Sequence, residues 1–200
     1  MNSMPTPERT AKFLRVAKNR QAGLIVVLED IYDPHNAAAI MRTCDAFGIQ
    51  DVRLVFETEK PWNPRRIGKT TSSSANKWLT FRTYRSTDEC LRELKRAKYE
   101  IVATALTPDA KNVYDVKLTN VKLALLVGNE HRGLSATALA LADRIVKIPM
   151  RGMVQSLNVS VSAALVIAEA VRQREATNHP RRYRPTAREA ARLAREFLAR

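Results

Sequence analysis

The most informative stretch of the chain reads IPMRGMVQSLNVSV, over residues 148–161. In it, an apolar loop containing a glycine, residues 148–155, comes directly before a long helical pattern, residues 157–174. Ser156 is predicted to cap that helix, and Asn158 lies in its first turn, where unpaired backbone amides can bind an electron-rich or anionic group. A cap alone would explain Ser156. The apolar loop before it would suit a flat heterocycle held between backbone walls.

A second stretch, LVGNEHRGLS over residues 126–135, follows a strongly apolar run. Its two glycines, Gly128 and Gly133, let the backbone turn sharply and approach a ligand. Glu130 stands at the end of this predicted strand and is a candidate functional carboxylate. A turn followed by a helix that is capped at Ser135 explains the same residues equally well.

A third stretch, DPHNAAAIMRTC over residues 33–44, follows the first apolar run of the chain. Asn36 can cap the helix that begins there, and Arg42 lies at least one full turn further along it. From these residues alone, a capped helix with a surface arginine is the simpler interpretation. His35 is more simply a loop residue than a metal ligand, because no second ligand stands at metal spacing, and we expect no metal site.

Apolar runs and helical patterns alternate along the chain, which predicts an α/β domain with a mostly parallel sheet. The apolar runs lack strict alternation, as expected for strands that are covered on both faces. The predicted strands are residues 24–28, 52–56, 101–105, 123–127 and 145–148. The predicted helices are residues 7–20, 37–47, 87–97, 136–142, 157–174 and 186–200. Residues 178–185 are predicted to form a polar linker, and residues 70–74 a mobile polar loop.

The distribution of charge indicates a polyanionic partner. The net charge is +14, and residues 1–23 hold five Lys and Arg against one Glu, while residues 172–200 hold nine Arg against three Glu. Basic ends on a nearly balanced middle suggest that the ends bind a nucleic acid while the middle has another task. Association with the ribosome, or solubility alone, would produce the same charge.

Several classes of protein are disfavoured by the sequence. No stretch approaches the roughly 18–20 apolar residues of a membrane span, and the N-terminus lacks the apolar segment of a secretory signal, so we expect a cytoplasmic protein with no membrane partner. The six glycines form neither a GxGxxG nor a P-loop pattern, which disfavours the dinucleotide fold and the methyltransferase fold with a Gly-rich first turn. Cys44 falls within an apolar helical pattern and is predicted to be buried.

Taken together, the three stretches resemble the signature motifs of the SPOUT methyltransferases. The motifs are N-(x5)-R-T-C-D-A-F-G, V-G-N-E-x-x-G-L-S and I-P-M-x-G-M-V-Q-S-L-N-V-S-V, and they are most similar to those of the TrmH family of tRNA guanosine 2′-O-methyltransferases. The resemblance implies a trefoil-knotted α/β fold, a homodimer with the active site at its interface, and S-adenosylmethionine as cofactor. It places a methyltransferase domain at residues 24–175, a basic N-terminal helical extension at 1–23, and a basic C-terminal linker and helix at 176–200.

The resemblance also implies roles for individual residues. Methyl transfer to a ribose 2′-hydroxyl requires the hydroxyl proton to leave. By the resemblance, the residue that removes this proton is Arg42. Because a guanidinium normally stays protonated, Arg42 either relays the proton to an RNA phosphate, or stays charged and stabilises the alkoxide while Glu130 or a phosphate takes the proton. The implied catalytic residues are Asn36, Arg42, Glu130, Ser156 and Asn158. The implied cofactor-binding residues are Thr104, Ala105, Leu106, Gly128, Asn129, Gly133, Ile148, Met150 and Leu157.

Three functions remain open at this point. The first is 2′-O-methylation of tRNA, at guanosine 18 of the D-loop. The second is the same reaction on ribosomal RNA or at another tRNA position. The third is a catalytically silent RNA-binding protein with the same fold, although such a protein would not need all five implied catalytic residues.

Overall fold

A seven-stranded parallel sheet organises the computed structural model, which describes residues 6–67 and 75–200. The strands are β1 (Gln21–Glu29), β2 (Ile49–Val55), β3 (Thr80–Tyr84), β4 (Glu100–Thr104), β5 (Lys111–Asn112), β6 (Leu123–Val127) and β7 (Arg144–Lys147). They pair in the order β3-β2-β1-β6-β4-β7-β5, and every neighbouring pair is parallel. The predicted α/β class with a parallel sheet is confirmed.

Six α-helices accompany the sheet within the described parts of the chain. They are α1 (Pro7–Lys18), α2 (Pro34–Ala46), α3 (Thr87–Arg96), α4 (Ala136–Leu141), α5 (Val159–Glu175) and α6 (Ala187–Leu198). Short 3₁₀ helices lie at Ala75–Lys77, Val113–Asp115 and Pro180–Tyr183. Among the residues described, none of these helices has the length and apolar character needed to cross a membrane.

The interior strand β1 is buried on both faces because helices cover the sheet on each side. Leu24, Val26 and Leu28 belong to an apolar cluster that includes residues of α2 and α5, whereas Ile25 and Val27 belong to a second cluster with residues of α3 and α4. Strands buried in this way read as continuous apolar runs, which explains the missing alternation in the sequence. The helix after β1 therefore lies on one face of the sheet, and the helix after β6 on the other.

The predicted elements differ from the observed ones mainly at their ends and at the sheet edges. The five predicted strands are all present, with ends displaced by at most three residues. The strands β3 and β5 were not predicted, because edge strands are short and only partly buried, so they lack a continuous apolar run. Cys44 is buried, as predicted. The loop predicted at residues 70–74 lies outside the described residues.

The two ends of the chain pack against each other. The ring of Phe13 in α1 contacts the ring of Phe197 in α6, with centroids 6.0 Å apart. It also contacts Trp78, which follows the first 3₁₀ helix, with centroids 5.2 Å apart. The linker before α6 is anchored as well, because Tyr183 is only 2% exposed and its hydroxyl donates to the Thr119 carbonyl oxygen at 2.8 Å. Removal of the C-terminal segment would therefore expose apolar side chains of α1 in addition to deleting arginines.

Candidate active site

A cavity of about 500 Å³ opens at the carboxyl ends of β4, β6 and β7. This is the edge of an open α/β sheet at which ligands usually bind. All nine residues implied to bind the cofactor line this cavity, as do three of the implied catalytic residues, Glu130, Ser156 and Asn158. The lining residues that the sequence did not single out are Val127, Lys147, Gln155, Val159 and Ser162. Four of these five residues are next to one of the implied site residues in the sequence. Adjacency in the sequence is therefore the signal that could have identified them.

A tight turn over residues 129–133 forms one wall of the cavity. Asn129 and Gly133 each donate their backbone amide to the carbonyl oxygen of the other, both at 3.0 Å. Gly133 has φ +68°, in the left-handed region that favours glycine. A Cβ atom on Gly128 would lie 2.6 Å from the carbonyl carbon and oxygen of Gly133, so a side chain there would prevent the turn from closing.

The Glu130 carboxylate joins this turn to the segment that follows β1. Its Oε2 accepts the backbone amide of Tyr32 at 2.8 Å, and its Oε1 accepts the amide of Asp33 at 3.1 Å and the side-chain amide of Asn36 at 2.8 Å. The carboxylate lies beside the N-terminus of α2, where the helix dipole favours a negative charge. Three donors fill most of its accepting capacity, which makes Glu130 a link between two loops.

Asn36 extends this hydrogen-bond network to the loop that precedes α5. Its Oδ1 accepts the side-chain amide of Asn158 at 3.1 Å, and Asn158 Oδ1 accepts the Ser160 amide at 2.8 Å. Asn158 therefore caps α5, and the prediction that Ser156 caps it is wrong, because the helix begins only after Asn158. Ser156 lies in the exposed loop and lines the cavity.

The predicted cap of α2 is also wrong. Asp33 caps this helix rather than Asn36, because Pro34, with its fixed φ and missing amide hydrogen, occupies the first helical position. The His35 amide donates to Asp33 Oδ1 at 2.8 Å, and this hydrogen bond lowers the pKa of the Asp33 carboxyl. Asn36 is left free of the capping role and turns its side chain to Glu130 and Asn158.

Arg42 stands apart from the other four implied catalytic residues. Neither Arg42 nor Asn36 is among the described residues that line the cavity, but Asn36 is hydrogen-bonded to Glu130 and Asn158, whereas Arg42 is exposed on α2. Arg42 follows Asn36 by six residues, and at about 100° per residue the two side chains point roughly 120° apart around the helix. Within one chain the structure thus brings Asn36, Glu130, Ser156 and Asn158 to one place and leaves Arg42 outside it.

Two buried carboxylates at the end of β1 are not among the functional residues that the sequence predicts. Glu29 accepts the Thr87 hydroxyl at 2.6 Å and the Ser135 amide at 2.9 Å. Asp30 accepts the backbone amides of residues 57–59 at 2.9–3.1 Å. Both side chains position loops at the same edge of the sheet as the cavity. The sequence did contain a signal, since two acidic residues directly after the apolar run 24–28 need hydrogen-bond donors when they are buried.

Comparison with known proteins identifies the family of this chain. The profile described as the SpoU rRNA Methylase family matches residues 23–168. The chain belongs to the SpoU rRNA methylase family. The resemblance that the three motifs carry is thereby confirmed. A SpoU-family relative from Thermus thermophilus, named tRNA (guanosine(18)-2'-O)-methyltransferase, is 43% identical over 169 residues, which cover 84% of this chain and 84% of the relative.

Solved structures of the SpoU family share the fold. The Aquifex aeolicus TrmH/SpoU tRNA modifying enzyme superposes with a TM-score of 0.86 at 32% identity, covering 96% of this chain and 95% of that chain. The SpoU methyltransferase AviRb from Streptomyces viridochromogenes, solved in complex with the cofactor AdoMet, gives a TM-score of 0.68 at 30% identity. That match covers 79% of this chain and 63% of AviRb.

We expect Glu130→Ala to loosen the segment after β1. The substitution leaves the amides of Tyr32 and Asp33 without an acceptor, so their hydrogen exchange should accelerate, and the free energy of unfolding should fall by about 1–3 kcal/mol. Glu93→Ala is the matched control, because Glu93 pairs with the Arg82 side chain instead of with backbone amides. Equal exchange rates at Tyr32 and Asp33 in both variants would contradict the linking role of Glu130.

Proposed function

We propose that this chain transfers a methyl group from S-adenosylmethionine to the ribose 2′-hydroxyl of guanosine 18 in tRNA. The main support for the proposal is the cavity at the carboxyl edge of the sheet, in a chain of the SpoU family. The hydrogen-bonded residues Glu130, Asn36 and Asn158 border this cavity. The Thermus thermophilus relative is named for this reaction. Ribosomal RNA is the second candidate substrate, because the description of the matching family profile names rRNA.

The cavity fits S-adenosylmethionine in size and chemistry. Its volume of about 500 Å³ lies within the roughly 300–1,000 Å³ of small-molecule sites. The closure of Gly128 on Gly133 exposes backbone groups to a ligand, and Ile148 and Leu157 supply apolar walls. The Thr104 hydroxyl, which lines the cavity, has no hydrogen-bond partner among the described residues and can meet a polar group of the ligand. When bound, S-adenosylmethionine supplies an electrophilic methyl group attached to a sulfonium sulfur.

The protein residues then have three tasks around the RNA ribose. Glu130 and Asn36 hold the loops that border the reacting groups, Ser156 and Asn158 hold the phosphate of the target nucleotide, and Arg42 acts on the 2′-oxygen. Because three donors already occupy the Glu130 carboxylate, Glu130 is better suited to positioning than to accepting the hydroxyl proton. Arg42 either relays that proton to an RNA phosphate or stabilises the alkoxide while a phosphate takes it.

The proposal includes a homodimer whose interface covers the mouth of the cavity. Leu106 lines the cavity, and Met153, Val154 and Val161 flank the lining residues 155–159 in the chain; these four large apolar side chains have exposures from 46% to 101%. Exposed apolar side chains of this size are typical of an interaction site. A dimer that covers them would also enclose the cavity, and it can supply an Arg42 guanidinium that does not line the cavity within one chain.

The proposal also covers the threading of the chain through the sheet and the role of its two terminal segments. The proposal keeps the trefoil knot that the family resemblance implies, in a sheet where β4 lies between β6 and β7. Residues 24–175 form the catalytic domain, and the segments 1–23 and 176–200 bind RNA phosphates through their basic helices. Arg188 and Arg195 are exposed on α6 and are available for such contacts.

The proposed reaction is tested by nucleoside analysis of total tRNA and rRNA from cells with and without the protein. We expect 2′-O-methylguanosine to disappear from position 18 of tRNA and to remain in rRNA. Loss of a methylated nucleoside from rRNA alone would establish the second candidate substrate. Unchanged methylation in both RNA classes would overturn the enzymatic proposal in favour of a silent RNA-binding protein.

We expect Gly128→Ala to weaken S-adenosylmethionine binding by at least about 10-fold, because the added Cβ would push the Gly133 backbone out of the cavity wall. Isothermal titration calorimetry measures the affinity, and circular dichroism checks that the fold survives. Gly152→Ala is the matched control, since a Cβ on Gly152 meets no atom within 4 Å. The same affinity in both variants would remove the turn 129–133 from the cofactor site.

We expect Arg42→Lys to lower the single-turnover methylation rate at saturating RNA and cofactor by at least ~100-fold. Lysine keeps the positive charge but loses the planar fork that can bridge two oxygens. RNA affinity should change little, because the basic ends supply most of it. Arg92→Lys on α3, an exposed arginine paired with Asp88, is the control. A rate close to that of the wild type in Arg42→Lys would exclude Arg42 from the chemical step.

A further inference from the structure

Two exposed aromatic side chains stand together at the rim of the candidate active site. The rings of Tyr32 and His131 meet edge to face, with centroids 5.3 Å apart and planes at 71°. Tyr32 is 59% exposed, and His131 is exposed as well. Every other ring pair in the described parts of the chain includes a buried phenylalanine. The Tyr32–His131 pair therefore differs from the pairs that build the core.

Hydrogen bonds fix the backbone of both residues that carry these rings. The Tyr32 amide donates to Glu130 Oε2 at 2.8 Å, and the His131 amide donates to Asn129 Oδ1 at 2.8 Å. Asn129 is itself buried, and its side-chain amide donates to the Asp30 carbonyl oxygen at 2.7 Å. Two loops that are far apart in sequence thus hold these rings next to Glu130, which lines the cavity.

A rigidly mounted, solvent-exposed aromatic pair has little value for the stability of the fold but fits a planar ligand. An edge-to-face contact uses the edge of one ring, so ring faces stay open for a third π-system. Nucleobases that leave the stack in RNA loops are commonly held on aromatic side chains. The location beside the proposed ribose site selects the base of the nucleotide that is being modified over other planar groups.

We propose that Tyr32 and His131 form a stacking platform for the base of the target nucleotide. The proposal rests on the proposed RNA 2′-O-methyltransferase function and adds the groups that hold the base while its ribose reacts. Every base has a π-face, so the platform orients the target nucleotide without reading its identity. Its contribution is also distinct from that of the basic helices, because stacking releases no counterions and leaves the salt dependence of binding unchanged.

The test is a double-mutant cycle, in which the aromatic ring of the protein and the base of the RNA are removed separately and together. The protein variants are Tyr32→Ala, Tyr32→Phe, His131→Ala and, as a matched control, Tyr114→Ala, which removes a tyrosine of similar exposure (48%) next to the edge strand β5. The probes are an unmodified tRNA transcript with guanosine at position 18 and the same transcript with an abasic nucleotide there. RNA affinity is measured at several salt concentrations, and cofactor affinity is measured for each variant as a check on the site.

We expect Tyr32→Ala to raise the Kd for the intact transcript by about 10- to 100-fold and to leave the Kd for the abasic transcript close to that of the wild type. Tyr32→Phe should retain the affinity for the intact transcript, His131→Ala should weaken it in the same direction as Tyr32→Ala, and Tyr114→Ala should have no effect. The slope of log K against log salt should be the same for all variants.

Two results would overturn the platform. One is an unchanged Kd of Tyr32→Ala for the intact transcript, and the other is an equal loss for intact and abasic transcripts, which would assign Tyr32 to the RNA backbone or to the integrity of the loop. Methylation of the intact transcript by the wild-type protein is measured alongside. If it proceeds while either result is found, only the stacking inference fails. If the wild type does not methylate the transcript, the proposed function fails and the platform fails with it.

Discussion

The Glu130 carboxylate accepts hydrogen bonds from donors that lie 94 to 98 residues earlier in the chain, and the geometry of the candidate site depends on that one interaction. A carboxylate can hold three donors at once because it has about four acceptor positions. Here it fixes two backbone amides and the side chain of Asn36, which in turn holds Asn158. Three loops from distant parts of the sequence are thereby kept at fixed separations around one cavity.

The sheet explains why such a link is needed at this place. Strands β1 and β6 are neighbours, yet the helix after β1 packs on one face of the sheet and the helix after β6 on the other. The loops that leave these strands therefore diverge and open a crevice, as happens wherever connections in an open α/β sheet change faces. Glu130 spans the divergence, while the closure of Gly128 on Gly133 keeps the adjoining wall thin enough for backbone groups to reach a ligand.

The buried strands were predicted well from local patterns, whereas most residues that line the cavity were implied by the family resemblance. Continuous apolar runs mark strands covered on two faces, and glycines at strand ends mark close backbone approach. The caps at Asn36 and Ser156 were predicted wrongly, because Asp33 and Asn158 have the same capping chemistry and only the observed helix starts distinguish them. The side on which Arg42 lies depends on the rotation of α2, and the order of the strands in the sheet depends on contacts between distant parts of the chain. No local pattern encodes either property.

We propose that the site at this sheet edge methylates the ribose 2′-hydroxyl of guanosine 18. The most direct test incubates the purified protein with isotopically labelled S-adenosylmethionine and two tRNA transcripts, which differ only in carrying guanosine or 2′-deoxyguanosine at position 18. We expect one labelled methyl group per molecule of the first transcript, released as 2′-O-methylguanosine on digestion, and no label in the second. Equal labelling of both transcripts, or labelling of neither, would contradict 2′-O-methylation at this position.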